Sequence, residues 1–174
     1  MKRAAIPLCL ILSLTLVGCG FQLRGSYGVP ETVQPLSLEC NPPVPDHVCR
    51  SVRDQLEMAQ VSLSSAGNAV AVLQLSDFRQ DRRATAVTAR AGAAEYTLQQ
   101  TIEMELISAQ EAPLLASQTI TSAETYRYDE TNVLAKQQEE DAIQTELSQQ
   151  LAQQILFRLS ALGQTPVDGS EAAK

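Results

Sequence analysis

The chain has 174 residues with 20 acidic and 13 basic side chains, and its formal charge is −7. This length favours a single domain, and the acidity argues against a general nucleic-acid binder, which would normally be basic. His47 is the one histidine of the sequence, so histidine metal clusters and catalytic relays with serine or cysteine have almost no residues to form them. We therefore expect a protein that is not an enzyme, with no metal and no cofactor.

The first 18 residues have the organisation of an export signal. Lys2 and Arg3 are followed by an almost wholly apolar run over residues 6–17. Twelve helical residues rise about 18 Å, which is too short for a bilayer core of about 30 Å. A positive start, a short apolar stretch and small residues at its end are typical of a signal peptide. We therefore predict a signal peptide over residues 1–18.

The segment Leu16-Val17-Gly18-Cys19 resembles a bacterial lipobox, in which the cysteine is acylated and becomes the first mature residue. The alternative is an ordinary signal peptide with a cysteine there by chance. Two or more acyl chains hold a protein stably on a membrane, and Gly20 stands where an aspartate would signal retention in the inner membrane. We therefore expect attachment through Cys19 to the periplasmic face of an outer membrane. The mature chain would then carry 11 basic and 20 acidic side chains, a net charge of −9.

Cys40 and Cys49 form an even pair in a compartment that favours disulfides. The segment between them contains three prolines and His47. Closing so small a loop would contribute about 2–3 kcal/mol to stability in the chain-entropy model. A disulfide is our prediction, and the alternatives are two free buried thiols or a metal site that uses His47.

The mature chain begins with a predicted strand and a predicted helix. Residues 32–38 have the pattern of a strand, and the three prolines then interrupt the chain before Asp46, which we predict to be a helix N-cap. Val48, Val52 and Leu56 recur every four residues, which predicts a helix of about three turns.

Four further stretches predict β-strands. Residues 68–78 and 83–90 are rich in small and branched side chains and predict two separate strands. From residue 96 to residue 106 apolar and polar side chains alternate, with only Gln100 interrupting, which is typical of a half-buried strand. Residues 114–128 are polar on both faces, which fits a sheet edge or a surface covered by another protein.

Residues 137–162 predict a long amphipathic helix, because apolar residues recur every four positions from Ile143 to Leu159. Two amphipathic helices on one face of a twisted sheet would bury both apolar stripes in one core. We therefore predict an α+β fold, a two-layer sandwich with two helices on one face of a mostly antiparallel mixed sheet of four to five strands. This single domain would span residues 19–163, followed by a disordered tail over 164–174.

Four short motifs, in order along the chain, resemble the LptE family of lipopolysaccharide-assembly lipoproteins. The Cys40 and Cys49 pair and its proline-rich loop depart from the family pattern, which leaves the conformation of the first loop open. The motifs are Cys19-Gly20-Phe21-Gln22-Leu23-Arg24-Gly25 at the mature start, Ser51-Val52-Arg53-Asp54-Gln55-Leu56 in the first helix, Arg90-Ala91-Gly92-Ala93-Ala94-Glu95-Tyr96 in the central hairpin and Leu134-Ala135-Lys136 before the last helix.

The resemblance implies a function that composition does not show. Members of this family form a one-to-one complex with LptD, a large outer-membrane β-barrel; they plug its lumen, help to assemble it and pass lipopolysaccharide to the cell surface. The resemblance therefore implies LptD and lipopolysaccharide as partners, and no catalytic residues. The polar faces of the long strands suit either a hydrophilic barrel lumen or plain solvent; they include Thr97, Gln99, Thr101, Thr119 and Thr121.

The basic residues are the candidates for contact with lipopolysaccharide, which is polyanionic. By resemblance, Arg90 and Lys136 lie where the family has basic residues implicated in that contact. Arg79, Arg82 and Arg83 are further candidates on clustering alone, since a guanidinium can make two parallel hydrogen bonds to a phosphate. The alternative is that these side chains only solvate a turn, where nearby aspartates could neutralise some of them.

Two other classes of protein compete with this interpretation. An accessory lipoprotein of another envelope assembly or transport complex would share the lipobox and the small acidic domain but not the motif at residues 90–96. A periplasmic serine hydrolase would need a Gly-x-Ser-x-Gly stretch, which this sequence lacks, and a better-placed histidine than His47 on its proline-bounded loop.

Overall fold

The computed structural model describes residues 28–87, 93–127 and 133–163. The predicted signal peptide, Cys19 and the predicted C-terminal tail lie outside the described residues. The elements, in chain order, are β1 (Leu36–Cys40), α1 (Asp46–Met58), β2 (Ala71–Val87), β3 (Ala93–Ser108), β4 (Pro113–Arg127) and α2 (Val133–Ala161), with short 3-10 turns at Glu31–Val33 and Ala66–Asn68.

The four strands form one mixed sheet in the order β1-β2-β3-β4. β1 is parallel to β2, and the other two strand pairs are antiparallel. A parallel pair needs a crossover connection, which α1 provides. The predicted α+β fold, with two helices and a mostly antiparallel mixed sheet, is confirmed, and β4 is an edge strand as its polar sequence suggested.

Both helices bury their apolar stripes against the same face of the sheet, which we call the inner face. The predicted stripe of α1 is buried as expected, and α2 places its own stripe in the same core. The residues of this main core are mostly aliphatic; they include Val48, Val52 and Leu56 of α1, Leu151, Ile155 and Leu159 of α2, and Leu73, Leu75, Ile102, Met104, Leu106 and Ile120 of the sheet. Burial of these side chains is the main force that holds the two layers together.

The elements differ greatly in length, so the two ends of the molecule are built differently. β1 has 5 residues and α1 has 13, whereas β2 has 17 and α2 has 29. The chain after β1 is held beside the first part of β2, where Asn41 N donates to the Leu75 carbonyl at 2.8 Å, and α1 returns from there. Among the described elements, β2 therefore has no strand on one side beyond residue 76. Of the two described helices, α2 is the one that covers the inner face there.

We call the two ends of the molecule the base and the hairpin end. At the base β2 begins and α2 ends, and a Cβ atom on Gly163 would lie 3.0 Å from Pro30 Cγ, so the N-terminal part of the described chain lies beside the end of α2. At the hairpin end β2 finishes at Val87 and β3 starts at Ala93. Among the described helices, none combines the length and apolarity needed to cross a membrane.

The main departure from prediction is in β2. The sequence predicts two strands over 68–78 and 83–90, but the structure has one continuous strand from Ala71 to Val87. A β-bulge interrupts its pairing with β3 near Asp77, whose φ is 49°. The polar stretch after Asp77 looked like a break because this part of β2 lies beyond β1 and α1, where the strand does not need apolar side chains.

Three element boundaries also differ from prediction. β1 starts at Leu36, because residues 31–33 form a 3-10 turn. Asp46 is the first residue of α1 rather than its N-cap, which is Pro45, and no side chain caps this helix. The Asp46 carboxylate still lies in the first turn, where the helix dipole favours a negative charge. α2 starts at Val133, four residues earlier than predicted.

Cys40 and Cys49 form a disulfide with a Cα to Cα distance of 6.1 Å. The bond joins the last residue of β1 to the first turn of α1, so it closes the proline-rich loop at its two ends. The predicted disulfide is thereby confirmed. The two alternatives, free thiols and a metal site with His47, are excluded because both sulfur atoms are used in the bond.

Candidate functional site

Of the predicted lipopolysaccharide contacts that the structure describes, Lys136 lies in α2, and the three arginines follow the bulge in β2. Arg90 lies outside the described residues, in the connection between β2 and β3. Lys136 is at the end of the first turn of α2. One turn later Glu140 contacts Arg82 of β2, so the start of α2 lies beside the end of the sheet from which the β2–β3 connection leaves.

The three arginines of β2 do not share a face. Successive side chains of a strand point to opposite faces, and the register with β3 pairs Arg82 with the buried Leu98. Arg82 therefore lies on the inner face, whereas Arg79 and Arg83 lie on the opposite face, which no described helix covers. We call that opposite face the open face.

Arg82 is the centre of a polar cluster at the hairpin end, which we call the Arg82 cluster: Arg82, Tyr96, Tyr126 and Glu140. The Arg82 guanidinium carbon lies 3.9 Å from the centre of the Tyr96 ring, a cation–π contact. Arg82 Nη1 donates to Glu140 Oε2 at 3.3 Å, and the Tyr126 hydroxyl donates to the same oxygen at 2.9 Å. The two tyrosine rings stack with centroids 6.1 Å apart. The cluster therefore joins β2, β3, β4 and α2.

The environment of the Arg82 cluster raises the pKa values of Arg82 and Tyr126, so both side chains keep the protons that they donate. Burial, together with the hydrogen bond and negative charge of Glu140, raises the pKa of Tyr126 to about 12. Burial alone would lower the pKa of Arg82, but the negative charge of Glu140 and the neighbouring tyrosines raise it overall. At neutral pH Tyr126 is therefore protonated and can donate, and Arg82 is charged.

The open face of the sheet is rich in hydroxyl groups. Thr97 and Thr125 are hydrogen bonded across β3 and β4 through oxygen atoms 2.7 Å apart, and the Thr101 and Thr121 oxygen atoms are 3.2 Å apart. Further members of this face are Arg79 and Arg83 of β2, Gln99 and Glu103 of β3, and Ser117, Thr119 and Arg127 of β4. Cross-strand pairs of this kind stabilise a sheet. They also leave a hydroxyl-lined surface on the side away from the helices.

The charges on the open face are partly paired. Arg79 lies 4.0 Å from Asp77, and Arg127 lies 3.6 Å from Glu95. Arg83 donates to the Gln99 side-chain oxygen at 3.1 Å. Exposed pairs like these contribute little to stability, and they leave the face polar without a large excess of either charge.

Gln100 is a buried polar residue whose partners the sequence did not reveal. Its side-chain nitrogen donates to Gln80 Oε1 at 3.0 Å and to the Gln144 carbonyl at 3.1 Å, and its oxygen accepts from Ser148 Oγ at 3.1 Å. The signal in the sequence was a single polar interruption in an apolar face. Because the polar groups of a buried amide need hydrogen-bond partners, Gln100 fixes the position along β3 at which α2 packs on the sheet.

Comparisons with known proteins agree with this architecture. Residues 31–159 match the family model described as LptE, lipopolysaccharide-assembly. The chain is 27% identical to the LPS-assembly lipoprotein LptE of Pectobacterium atrosepticum over 179 residues, which cover 100% of this chain and 92% of that protein.

Two solved structures are similar to the chain in both sequence and fold. A minor lipoprotein from Acinetobacter baumannii is 27% identical, with a TM-score of 0.61 over 72% of this chain and 90% of that one. The rare lipoprotein B from Shewanella oneidensis is 25% identical, with a TM-score of 0.63 over 72% of this chain and 93% of that one. The family match runs from the 3-10 turn before β1 into the last turn of α2, and so spans both layers of the fold. The chain belongs to the LptE family of lipopolysaccharide-assembly lipoproteins.

Proposed function

We propose that this protein is an outer-membrane lipoprotein, acylated at Cys19, that plugs the lumen of the LptD β-barrel and helps to assemble it. Membership of the LptE family supports a role in lipopolysaccharide assembly. The observation that supports the proposed role as a plug is the open face, a surface of hydroxyl and amide groups that no described helix covers.

The open face suits a barrel lumen in both chemistry and size. The lumen wall of a large outer-membrane barrel is polar, and threonine hydroxyls can both donate and accept hydrogen bonds. β4 alone has 15 residues. Three strands about 4.8 Å apart, with a rise of about 3.3 Å per residue, present roughly 500–700 Å². Each partner of a typical stable interface buries about 800 Å², so this face could supply most of one side.

A bulky residue on the open face is expected to disrupt the complex with LptD. Thr121→Trp introduces a residue that strands tolerate well, but its indole ring would lie where the proposed lumen wall is. We expect recovery of LptD with the affinity-tagged lipoprotein, purified from solubilised membranes, to fall by about tenfold or more, which corresponds to about 1.4 kcal/mol. Gln153→Trp, on the exposed surface of α2, is the matched control. Equal recovery of LptD with both variants, or recovery of a different barrel with the unaltered protein, would contradict the proposal.

We also propose that Arg90 and Lys136 bind lipopolysaccharide phosphates, with Arg79 and Arg83 as additional contacts along the open face. Placement supports the first pair: Lys136 lies in the first turn of α2, beside the end of the sheet that the β2–β3 connection joins. Two basic side chains close together would offer a polyanion a local binding site on a protein whose total charge is negative.

Reversing both charges is expected to weaken lipopolysaccharide binding. Hydrogen bonds between charged groups contribute about 1.5–3 kcal/mol each, so we expect Arg90→Asp with Lys136→Asp to retain less than about one tenth of the binding in a pull-down. Arg50→Asp with Arg53→Asp makes the same change in net charge on the exposed surface of α1. This control should bind nearly as well as the unaltered protein. Unchanged binding by the first variant, with the fold intact by circular dichroism, would remove the pair from the proposed site.

A further inference from the structure

The Arg82 cluster lies where α2 has the least support from the rest of the fold. α1 does not reach this part of α2, and the apolar contacts here form a small cluster separate from the main core. That small cluster contains Leu98, Tyr126, Ile143 and Leu147, with Tyr96 packed against it. The first turn of any helix also lacks backbone partners for its N–H groups. Side-chain bonds between this end of α2 and the sheet therefore matter more here than at the base.

Glu140 receives those bonds from two strands at once. Arg82 of β2 and Tyr126 of β4 both donate to its Oε2 atom. Because these strands lie on either side of β3, the two donors restrain Glu140 in the direction across the sheet. The stacking of Arg82 on Tyr96 fixes the guanidinium over β3 itself. The second turn of α2 is thereby held above the middle of the sheet.

Lys136 lies four residues before Glu140, so its Cα atom is one turn along the same side of α2. The position of that turn depends on the turn that follows, because a helix is rigid over so short a length. We infer that Arg82, Tyr126 and Glu140 are positioning residues that hold the first turn of α2 beside the hairpin end for binding of a phosphorylated lipid headgroup. This inference rests on the proposed function, in which Lys136 contacts a lipopolysaccharide phosphate.

The inference gives Arg82 a different role from that of the other arginines on β2. Clustering in the sequence made it a candidate for direct contact with phosphate, but its guanidinium is already engaged by Glu140 and by the face of Tyr96. A phosphate would have to compete with both partners. Arg79 and Arg83, on the open face, do not have this arrangement.

Glu140→Ala distinguishes a positioning role from a simple electrostatic effect, because the two predict opposite changes in lipopolysaccharide binding. The change removes a negative charge near the basic end, so electrostatics alone would strengthen lipopolysaccharide binding. It also removes the two hydrogen bonds that Arg82 and Tyr126 make to the second turn of α2, while alanine maintains helix propensity. We expect binding about three- to tenfold weaker than that of Glu146→Ala, the matched control, since preorganised contacts are lost. Glu146 is exposed on the same helix and its replacement makes the same charge change.

Hydrogen exchange of the free protein tests the positioning role without lipopolysaccharide. In Glu140→Ala we expect faster exchange at amides of residues 137–141 and unchanged protection over 151–159, where the main core holds the helix. Tyr126→Phe, which changes no charge at neutral pH, should show the same pattern to a smaller degree and serves if the first variant is unstable. Binding by Glu140→Ala equal to or tighter than that by Glu146→Ala, or unchanged exchange in both variants, would overturn the inference. Failure of the Arg90 and Lys136 variant to lose binding would instead count against the proposed contact site.

Discussion

Leu151→Ala is expected to lower the free energy of unfolding by about 2–5 kcal/mol. Leu151 is fully buried at the middle of α2, where this helix meets both α1 and the sheet. Truncation removes apolar burial and leaves a cavity that close-packed neighbours fill only in part. Alanine is the best helix former, so the loss would come from packing and not from helix propensity. Urea unfolding followed by far-UV circular dichroism measures the effect directly.

Phe157→Ala is the control for this prediction, because it removes a larger side chain from the same helix. Phe157 is 62% exposed, and substitutions on an exposed surface usually change stability by less than about 0.5 kcal/mol. If the two variants lost similar amounts of unfolding free energy, the apolar stripe of α2 that faces the sheet would not be part of the core. Domains of this kind have about 5–15 kcal/mol of total stability, so the Leu151 variant should also show a much lower urea midpoint.

Replacement of both Cys40 and Cys49 by serine is expected to cost about 2–3 kcal/mol of stability. The disulfide closes a loop with a sequence separation of 9, and in the chain-entropy model its main effect is to restrict the unfolded chain. It also joins the short edge strand β1 to α1, which hydrogen bonds within the sheet cannot do. The same urea experiment measures the loss.

Reductant provides the control for the disulfide. The protein with both cysteines should lose a similar amount of stability when reductant is added, and the double serine variant should not respond. The prediction would be wrong if the double variant unfolded at the same urea concentration as the oxidised protein. A loss that appeared only in the variant would point to packing of the sulfur atoms and not to loop closure.

The regular elements could be predicted because their residues are buried on one side only. β3 alternates apolar and polar side chains from Tyr96 to Leu106, and the structure buries the apolar set against the helices. α2 repeats its apolar residues every four positions and packs them on the sheet. When only one side of an element is buried, apolar residues recur in the sequence with the period of that element, about 2 for a strand and about 3.6 for a helix. Where the main apolar core ends, as in the second half of β2, that signal ends too.

The faces of the arginines could not be predicted, because the bulge at Asp77 reverses the alternation of β2. Leu75 faces the core, so a regular strand would send Arg79 and Arg83 to the inner face and Arg82 outward. The bulge adds a residue, and the structure has the opposite arrangement. Backbone irregularities of this kind leave little trace in a single sequence.

The polar side of α2 was also more specific than its sequence suggested. A face rich in glutamine is typical of a solvated helix surface, yet Gln154 donates to the Thr121 carbonyl at 3.2 Å and Arg158 donates to the Gln118 side chain at 2.8 Å. These contacts join α2 to β4 across a long separation in sequence, which no local pattern records. The motifs that resemble the LptE family did identify the family, whose members are non-enzymatic accessory lipoproteins of lipopolysaccharide assembly.

The proximity of Pro30 to Gly163 places the start of the described chain beside the end of α2. α2 has 29 residues and is therefore about 43 Å long, so its basic first turn lies that far from the point beside Gly163 where the described chain begins. The nine residues from 19 to 27 can span at most about 30 Å when extended. An acyl group on Cys19 would thus keep the base close to one bilayer surface. The hydrocarbon core is about 30 Å thick. If the domain occupied the barrel lumen as proposed, with its base at one bilayer surface, α2 would be long enough to carry the Cα atom of Lys136 past the opposite surface.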